Sequence, residues 1–433
     1  MSQIELIHEA FLLSNGVATD SRNYSKGAMF FALKGERFDG NKYVEEVLLG
    51  GAEFAVADDS SLNALENVFI VDDVLRTLQE LALYHRRYLN VPIIAITGTN
   101  GKTTTKELVS AVLSRKYNVK ATSGNFNNHI GVPLTLLSMD KDVAVGVVEM
   151  GANHVGEIAF LCELAEPNYG MITNVGKAHL EGFGSFEGVM KAKGELYEYL
   201  EKNSCRVFIN ADNAHLNAMA KAVTTRSSYG TFSGELKGHV TCNNPYVRMQ
   251  WKDPKGVAYD VQTHLIGDYN LENILSAICI GQEFGVANEE MNKALEAYQP
   301  NNNRSQFIDS GCNKIIMDAY NANPSSMQVA LENFSRAEEG NKVVILGGMK
   351  EMGDDSAVEH RKLVDMLCEI QFKRTILVGE EFQGVLSDNE KSIECYGDNA
   401  ALLRRLKESP IENAYILIKG SRSNQLEQLV DYL

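Results

Sequence analysis

Residues 93–104 read IIAITGTNGKTT, in which an apolar, β-branched run is followed by a glycine-containing loop and the start of an amphipathic segment. This order of strand, loop and helix is one half of a βαβ unit. Gly98 and Gly101 allow the backbone to curl so that its N–H groups point inward, and the start of the helix adds positive potential. The stretch therefore predicts a phosphate-binding loop.

The side chains of this loop supply charge and a metal ligand. The general GxxxxGK[ST] pattern has its first glycine where this chain has Ile96, so the loop is a variant. Lys102 can reach the β- and γ-phosphates of a nucleotide, and Thr103 can ligate Mg²⁺. The alternative, a glycine turn with an exposed lysine, is disfavoured by the position between strand and helix. The predicted ATP-binding residues of the loop are Gly98, Thr99, Asn100, Gly101, Lys102, Thr103 and Thr104.

The length of 433 residues and the order of the apolar runs predict three α/β domains. Residues 1–88 predict a small α/β domain, residues 89–301 a central domain with a mostly parallel sheet, and residues 302–433 a Rossmann-like, doubly wound domain. The polar run 299–303 is typical of a linker, and helices are expected at 74–88 and 103–115. The predicted strands are 29–33, 53–57, 93–97, 143–148, 169–173, 315–317, 343–346, 375–378 and 415–418.

Composition excludes several classes of protein. A formal net charge of −16 argues against sequence-independent nucleic-acid binding, and no apolar run approaches the roughly 18 residues that cross a bilayer. The N-terminus has acidic residues where an export signal would be basic, so we expect a cytoplasmic protein. Seven widely spaced cysteines without a CxxC pair indicate reduced thiols, not disulfides or zinc ligands.

Two residues after the predicted strands are candidate metal ligands. Glu149 follows the 143–148 strand and is placed like the carboxylate that holds magnesium opposite a phosphate loop. His179 comes shortly after the 169–173 strand and can approach the same metal, although a lone histidine is usually structural. Asn174 also falls at the carboxyl end of a strand, where open α/β sheets place their ligands.

Seven ordered segments, spread over almost the whole chain, resemble motifs of the Mur ligase family of peptidoglycan-building amide ligases. They are Gly98–Lys106 (GTNGKTTTK), Gly124–Pro133 (GNFNNHIGVP), Asn174–Leu180 (NVGKAHL), Gly267–Asn273 (GDYNLEN), Asp318–Pro324 (DAYNANP), Gly348–Gly353 (GMKEMG) and Lys419–Arg422 (KGSR).

This resemblance implies an ATP- and Mg²⁺-dependent ligase that forms an amide through an acyl phosphate. The implied substrates are small molecules: the carboxylate of UDP-N-acetylmuramoyl-tripeptide and the amine of D-alanyl-D-alanine. The N-terminal domain is expected to bind the uridine-diphosphate end, the central domain ATP, and the C-terminal domain to close over the nucleotide. We expect a monomer with open and closed forms and no nucleic-acid or membrane partner.

The resemblance also implies roles for single residues. Lys193, which sequence alone does not distinguish from a solvated lysine, is expected to be carbamylated and to act as an anionic oxygen ligand. The implied catalytic residues are Lys102, His179 and Lys193, and the implied metal ligands are Thr103, Glu149, His179 and Lys193. Further nucleotide contacts are expected from Asn270, Asn273, Arg304 and Asp318. Substrate contacts are expected from Ser21, Arg22, Asn125, Asn128, Asn321 and Asn323.

Three alternative functions remain. One is a sister ligase that adds a diamino acid to the dipeptide precursor, and another is a folate-type polyglutamate ligase with the same ATPase core. The run DAYNANP at 318–324 and the uridine-type N-terminal domain favour the dipeptide-adding activity. Sister ligases that add diaminopimelate tend to have an Asp-Asn-Pro-Arg motif in their third domain, and this sequence lacks it. A catalytically inactive nucleotide-binding scaffold is the third, and it is disfavoured by the intact Lys102, Thr103 and Glu149.

Overall fold

The computed structural model describes residues 2–301, 303–387, 390 and 392–433. In this part of the chain the strands form three main sheets, each with helices packed on it, so the predicted α/β class is confirmed. No helix within it is both long and apolar enough to span a membrane.

The N-terminal sheet is parallel throughout, in the order β1-β2-β5-β6 for the strands defined below. The strands are β1 (Val17–Ala18), β2 (Met29–Phe31), β3 (Lys34–Gly35), β4 (Phe38–Asp39), β5 (Phe54–Ala57) and β6 (Val68–Ile70), of which β3 and β4 form a separate antiparallel pair. The helices are α1 (Gln3–Leu13), α2 (Val44–Leu49) and α3 (Val74–Leu89). The helix expected at 74–88 is confirmed. Asp73 accepts a hydrogen bond from the Arg76 N–H at its start, and Asn90 ends it in the left-handed region.

The central sheet is parallel from one edge through most of its width and antiparallel at the other edge. Its strands are β7 (Ile93–Thr97), β8 (Val119–Ala121), β9 (Val145–Glu149), β10 (Tyr169–Ile172), β11 (Arg206–Asn210), β12 (Arg226–Gly230), β13 (Leu236–Asn243), β14 (Val247–Lys252) and β15 (Ala258–Gln262). Their order is β15-β14-β13-β12-β11-β10-β7-β9-β8, with antiparallel pairing from β13 to β15. The helices are α4 (Lys102–Leu113), α5 (Gly131–Leu137), α6 (Glu157–Ala165), α7 (Leu180–Phe183), α8 (Phe186–Lys202), α9 (Ala214–Met219), α10 (Asn270–Glu283) and α11 (Asn288–Ala297).

This sheet places the predicted functional residues at one edge. Strand β7 lies between β10 and β9, all three are parallel, and so their carboxyl ends lie side by side. The loop after β7 therefore lies beside Glu149. Glu149 is the last residue of β9, whereas the sequence predicted it directly after the strand. Helix α4 begins one residue earlier than expected, at Lys102, and ends two residues before the expected 115.

The C-terminal sheet has the order β16-β17-β21-β18-β19-β20, in which only the β16–β17 pair is antiparallel among the described strands. The strands are β16 (Gln306–Asp309), β17 (Lys314–Asp318), β18 (Lys342–Gly347), β19 (Arg374–Val378), β20 (Ile393–Tyr396) and β21 (Tyr415–Lys419), and the helices are α12 (Pro324–Arg336), α13 (Ser356–Ile370) and α14 (Asn399–Glu408). The four strands expected here are confirmed as the inner ones. The edge strands β16 and β20 were missed because they are only partly buried and lack a continuous apolar run.

The predicted domain boundaries are not tested by this structure. The boundary at 88 falls within the last turn of α3, and the boundary after 301 falls on Asn302, which lies outside the described residues. One apolar core runs from α3 into the central domain, since Leu78 and Leu81 belong to the same buried cluster as Ile93. Both boundaries therefore stay predictions.

Arg86 joins α3 to the central domain. Its Nε donates to Ala165 O at 2.8 Å, and its Nη2 donates to Glu166 O at 3.0 Å and to Asn168 Oδ1 at 3.1 Å. Arg86 is 6% exposed, so these acceptors have little access to water. Its neighbour Arg87 pairs with the Glu166 carboxylate through a side chain that is 63% exposed.

We expect Arg86→Met to lower the free energy of unfolding by roughly 2–3 kcal/mol, because charge-assisted hydrogen bonds are lost and buried acceptors are left unpaired. Arg87→Met is the matched control and should cost less than about 1 kcal/mol, since exposed ion pairs contribute little. Urea unfolding of the whole chain measures both variants. Equal losses for the two would contradict this role of Arg86.

Candidate active site

The phosphate loop follows β7 and depends on two glycines for different reasons. Gly98 has φ +140°, and a Cβ there would lie 2.0 Å from Oγ1 of Thr173, the residue that follows β10. Gly101 has φ +77°, and a Cβ there would lie 2.8 Å from Asn273 Oδ1. Both positions therefore require a residue without a side chain.

Residues after β10 hold the loop in shape. The Asn100 N–H donates to Asn174 Oδ1 at 2.9 Å, and Asn100 O accepts from Thr173 Oγ1 at 2.6 Å. The Thr99 N–H donates to Asn174 O at 3.0 Å. In the sequence, Asn174 is notable only for its place at a strand end. The structure shows that Asn174 takes part in the hydrogen bonds that hold the loop in one conformation.

Lys102 is the first residue of α4, and its ammonium turns back into the loop. Its Nζ donates to Gly98 O at 2.8 Å and to Thr99 O at 3.1 Å. Burial lowers the pKa of Lys102, Glu149 opposes this change, and the positive charge of Arg304 adds to it. Two cations from different domains thus act on the same part of the site.

Glu149 is the buried carboxylate beside the loop. Its Oε2 accepts from Thr103 Oγ1 at 2.9 Å, and its Oε1 accepts from Asn127 Nδ2 at 2.9 Å. Lys106 Nζ lies 3.9 Å from Oε2 and donates to Thr122 O. Sequence reasoning missed Asn127 and Lys106, although both lie within segments that carry the family resemblance.

His179 lies at the contact between the central and C-terminal domains. It has φ +50°, directly precedes α7, and its Nδ1 lies 2.5 Å from Glu351 Oε2 of the C-terminal domain. The proximity of His179 lowers the pKa of Glu351. Glu351, also at positive φ, lies in the GMKEMG segment and is a further residue whose role the sequence did not reveal.

Lys193 lies on α8 and is 3% exposed. Its Nζ donates to Ala152 O at 3.4 Å and lies 5.2 Å from the centre of the Phe183 ring. Burial, followed by the positive charge of Lys102, lowers the pKa of Lys193 to about 7. A substantial fraction of this amine is therefore neutral near pH 7.

A cavity of about 820 Å³ lies between the central and C-terminal domains and collects most of the predicted residues. Of those residues, its wall contains Thr99, Asn100, Gly101, Lys102, Thr103, Thr104, Asn125, Asn128, Glu149, His179, Asn270, Asn273, Arg304, Asp318, Asn321 and Asn323. Gly98, Lys193, Ser21 and Arg22 are not part of the wall as far as the described residues define it.

The C-terminal domain contributes charged groups to this cavity. Lys419 Nζ lies 2.6 Å from Asp318 Oδ2, and the Arg304 guanidinium lies 3.7 Å from the centre of the Tyr320 ring. Among the described residues, no acceptor is within hydrogen-bond reach of the buried Arg304 Nε. Arg304 can therefore offer a donor to an anion in the cavity.

The predicted asparagines are partly engaged in local structure. Asn270 Nδ2 donates to Ile266 O, and Asn273 Nδ2 donates to Asn270 Oδ1. Asn128 Oδ1 accepts from two backbone N–H groups at the start of α5, whereas Asn125 is exposed at the cavity. Asn323 caps α12 and donates to Asn100 across the domain boundary.

Ser21 and Arg22 lie in a turn of the N-terminal domain after β1. The Arg22 guanidinium pairs with Asp20 at 2.8 Å, and its side chain is 86% exposed. The structure does not bring these two residues together with the phosphate loop. Their predicted role concerns the far end of a long substrate, and it stays a prediction.

A pre-formed phosphate loop, a buried carboxylate beside it and a cavity completed by a second doubly wound domain define an ATP-dependent enzyme that works between two domains. Family models match all three parts: "Mur ligase family, catalytic domain" at residues 14–86, "Mur ligase middle domain" at 96–281 and "Mur ligase, glutamate ligase domain" at 303–422. The chain therefore belongs to the Mur ligase family, as its motifs indicated, and is an ATP-dependent ligase.

The similarity extends over full-length relatives. The UDP-N-acetylmuramoyl-tripeptide--D-alanyl-D-alanine ligase of Bacillus subtilis (strain 168) is 36% identical over 96% of this chain and 92% of its own. The crystal structure of MurF from Acinetobacter baumannii matches with a TM-score of 0.86 at 29% identity, covering 99% of this chain and 97% of that one. MurF ligase from Thermotoga maritima in complex with ADP matches with a TM-score of 0.85 at 26% identity, covering 97% of both chains.

We expect Lys102→Met to lower turnover by at least about a hundredfold, because losing one preorganised donor costs about 3–4 kcal/mol of barrier. Phosphate release from ATP under saturating substrates measures the effect. The control is Lys141→Met, which removes the same charge from an exposed turn and should leave turnover unchanged. Near-normal turnover of the Lys102 variant would exclude a catalytic role for its ammonium.

Proposed function

We propose that the protein joins D-alanyl-D-alanine to UDP-N-acetylmuramoyl-tripeptide in peptidoglycan precursor synthesis. The observation that carries this proposal is the similarity to ligases of that name over nearly the whole chain, including the N-terminal domain. The γ-phosphoryl group of ATP passes to the tripeptide carboxylate and releases ADP. The amine of the dipeptide then attacks the acyl phosphate, loses a proton, forms the amide and releases phosphate.

The main task of the site is to bring two anions together. The carboxylate and the triphosphate repel each other, so cations must offset that repulsion where they meet. Lys102 from the loop and Arg304 from the C-terminal domain both face the cavity. We assign Lys102 to the transferring phosphoryl group and Arg304 to the nucleotide phosphates, while Asp318, held by Lys419, contacts the nucleotide.

The residues beside the loop fit a magnesium ion. Thr103 and Glu149 supply oxygen ligands, and magnesium is usually held by one or two carboxylates together with substrate phosphates. When bound there, the ion neutralises and orients the phosphates. His179 is assigned to the same ion, and the Glu351 carboxylate lies 2.5 Å from its Nδ1, on the side of the ring where partners of metal-binding histidines commonly lie.

We assign the N-terminal domain to the uridine-diphosphate end of the substrate, with Ser21 and Arg22 as its contacts. The exposed pair between Arg22 and Asp20 costs little to open, so the guanidinium is accessible to a phosphate. Asn125, Asn128 and Asn321 are assigned to the peptide end because they lie in the cavity wall. We further propose that the protein acts in the cytoplasm as a monomer and alternates between open and closed forms.

In the decisive assay, phosphate release from ATP should require both UDP-N-acetylmuramoyl-tripeptide and D-alanyl-D-alanine at fixed magnesium. The acyl phosphate is consumed only when the amine is present, so omitting either substrate should stop turnover. Release that instead requires a diamino acid and UDP-N-acetylmuramoyl-dipeptide would assign the protein to the sister activity. Release with a folate and glutamate would assign it to the polyglutamate ligases.

We propose that Lys193 is carbamylated. Its neutral amine attacks carbon dioxide, an N–C bond forms and a proton leaves, which converts the side chain into an anionic oxygen ligand. The lowered pKa of Lys193 supports this, because only the neutral amine is nucleophilic. Glu149 and His179 would then share the metal with this carbamate.

With ¹³C-labelled bicarbonate, we expect a carbamate signal in the NMR spectrum of the whole protein. At constant dissolved carbon dioxide the signal should grow as pH rises through about 7, since the amine loses its proton there. Lys193→Ala should remove the signal and the activity, and short carboxylates should partly restore activity. Lys191→Met, on the exposed side of the same helix, should keep both. Full activity in Lys193→Ala would refute the proposal.

A further inference from the structure

Asn100 in the phosphate loop is hydrogen-bonded in two directions. Its backbone N–H and C=O bond to residues after β10, within the central domain. Its side chain crosses to the C-terminal domain, where Nδ2 donates to Ser325 Oγ at 3.0 Å and Oδ1 accepts from Asn323 Nδ2 at 2.8 Å. Asn100 therefore links the residues after β10 to the C-terminal domain.

The amide of Asn323 has a determined orientation. Its Oδ1 accepts from the Ser326 N–H at 2.9 Å, which caps α12, and from Ser325 Oγ at 2.9 Å. Because the Ser326 N–H can only donate, Oδ1 must face it, and Nδ2 must face Asn100. Asn323 thus caps its helix with one amide atom and holds the phosphate loop with the other.

A third segment lies close to the same contact. A Cβ at Gly176 would lie 2.8 Å from Ser325 Oγ, and the Gly176 N–H donates to Thr99 Oγ1 at 3.0 Å. The first turn of α12 therefore packs directly against the phosphate loop and against the segment after β10. This close approach leaves no room for a side chain at position 176.

We infer that Asn323 and Ser325 are positioning residues that hold the phosphate loop, through Asn100, from the C-terminal domain. Neither needs to touch the nucleotide to do so. The loop presents its N–H groups in one geometry when this contact is made, and nucleotide affinity therefore depends on the contact. The inference rests on ATP use alone and goes beyond the proposed substrates.

The test is a double-mutant cycle on the whole protein with Asn100→Ala and Asn323→Ser. Serine is as good a helix cap as asparagine but is too short to reach Asn100, so the cap is kept while the contact between domains is lost. Isothermal titration with adenylyl imidodiphosphate and magnesium measures nucleotide affinity, and urea unfolding checks stability. Asn213→Ser is the matched control, because Asn213 caps α9 through Oδ1 at a site remote from the cavity.

We expect each single variant to weaken nucleotide affinity about tenfold, and the double variant to be no weaker than either single one, because coupled residues lose one shared interaction. The Asn323→Ser protein should unfold at the same urea concentration as wild type. If it does not, Ser325→Ala, which keeps the cap, replaces it in the cycle. Unchanged affinity in Asn323→Ser, or losses that multiply to about a hundredfold in the double variant, would overturn the inference.

These outcomes do not depend on which substrates the protein joins, because the titration contains no peptide precursor. A wild-type protein that binds the nucleotide but fails to ligate D-alanyl-D-alanine would refute the proposed function. The double-mutant cycle could still be interpreted, because it measures nucleotide affinity alone. Turnover of the variants adds a second readout. If Asn323 served only as a helix cap, Asn323→Ser would keep that cap and would change neither nucleotide affinity nor the coupling to Asn100.

Discussion

The close approach of the ends of β7 and β10 is the constraint on which the site depends. Thr173 Oγ1 lies where a side chain at Gly98 would have to be, and the same hydroxyl donates to the backbone of Asn100. The loop can pass this point only with glycine, and it then turns directly into α4. Lys102 and Thr103 occupy the first turn of that helix, so their places follow from the path of the backbone. Glu149, on the other neighbour of β7, meets Thr103 for the same reason.

Electrostatics adds to this geometry. The chain carries a formal net charge of −16, yet the region around the loop gathers lysines and an arginine. The buried Lys106 compensates Glu149, whereas burial, followed by the positive charge of Lys102, lowers the pKa of Lys193. An acidic protein that handles anions must concentrate its cations in this way, because water-exposed cations elsewhere are screened.

The sequence predicted the local features of the fold well. Strand β7, the loop and α4 follow from a short apolar run, two glycines and an amphipathic segment, and similar apolar runs predicted β9, β10 and the four inner strands of the C-terminal sheet. The inner strands β11 and β12 of the central sheet were missed, and β12, which reads RSSYG, contains no continuous apolar run. The edge strands β16 and β20 were missed because they are only partly buried, and the antiparallel strands β13 to β15 were missed because exposed residues interrupt their apolar pattern. Pairs such as His179 with Glu351, or Asn100 with Asn323, join residues far apart in the chain. They depend on how two domains pack, which no local pattern encodes.

The two interfaces of the central domain differ in chemistry. The apolar core shared by the N-terminal and central domains is extensive, whereas the apolar core of the C-terminal domain includes two described buried residues of the central domain, Leu180 and Ile266. The contacts around the nucleotide cavity include hydrogen bonds and ion pairs, such as Lys177 with Glu359. Water can replace a hydrogen bond at a net difference of about 1 kcal/mol, but it cannot replace an apolar contact. The N-terminal and central domains should therefore behave as one body during a reaction cycle. The proposed opening of the C-terminal domain would exchange its contacts with the central domain for contacts with water and would let ADP leave.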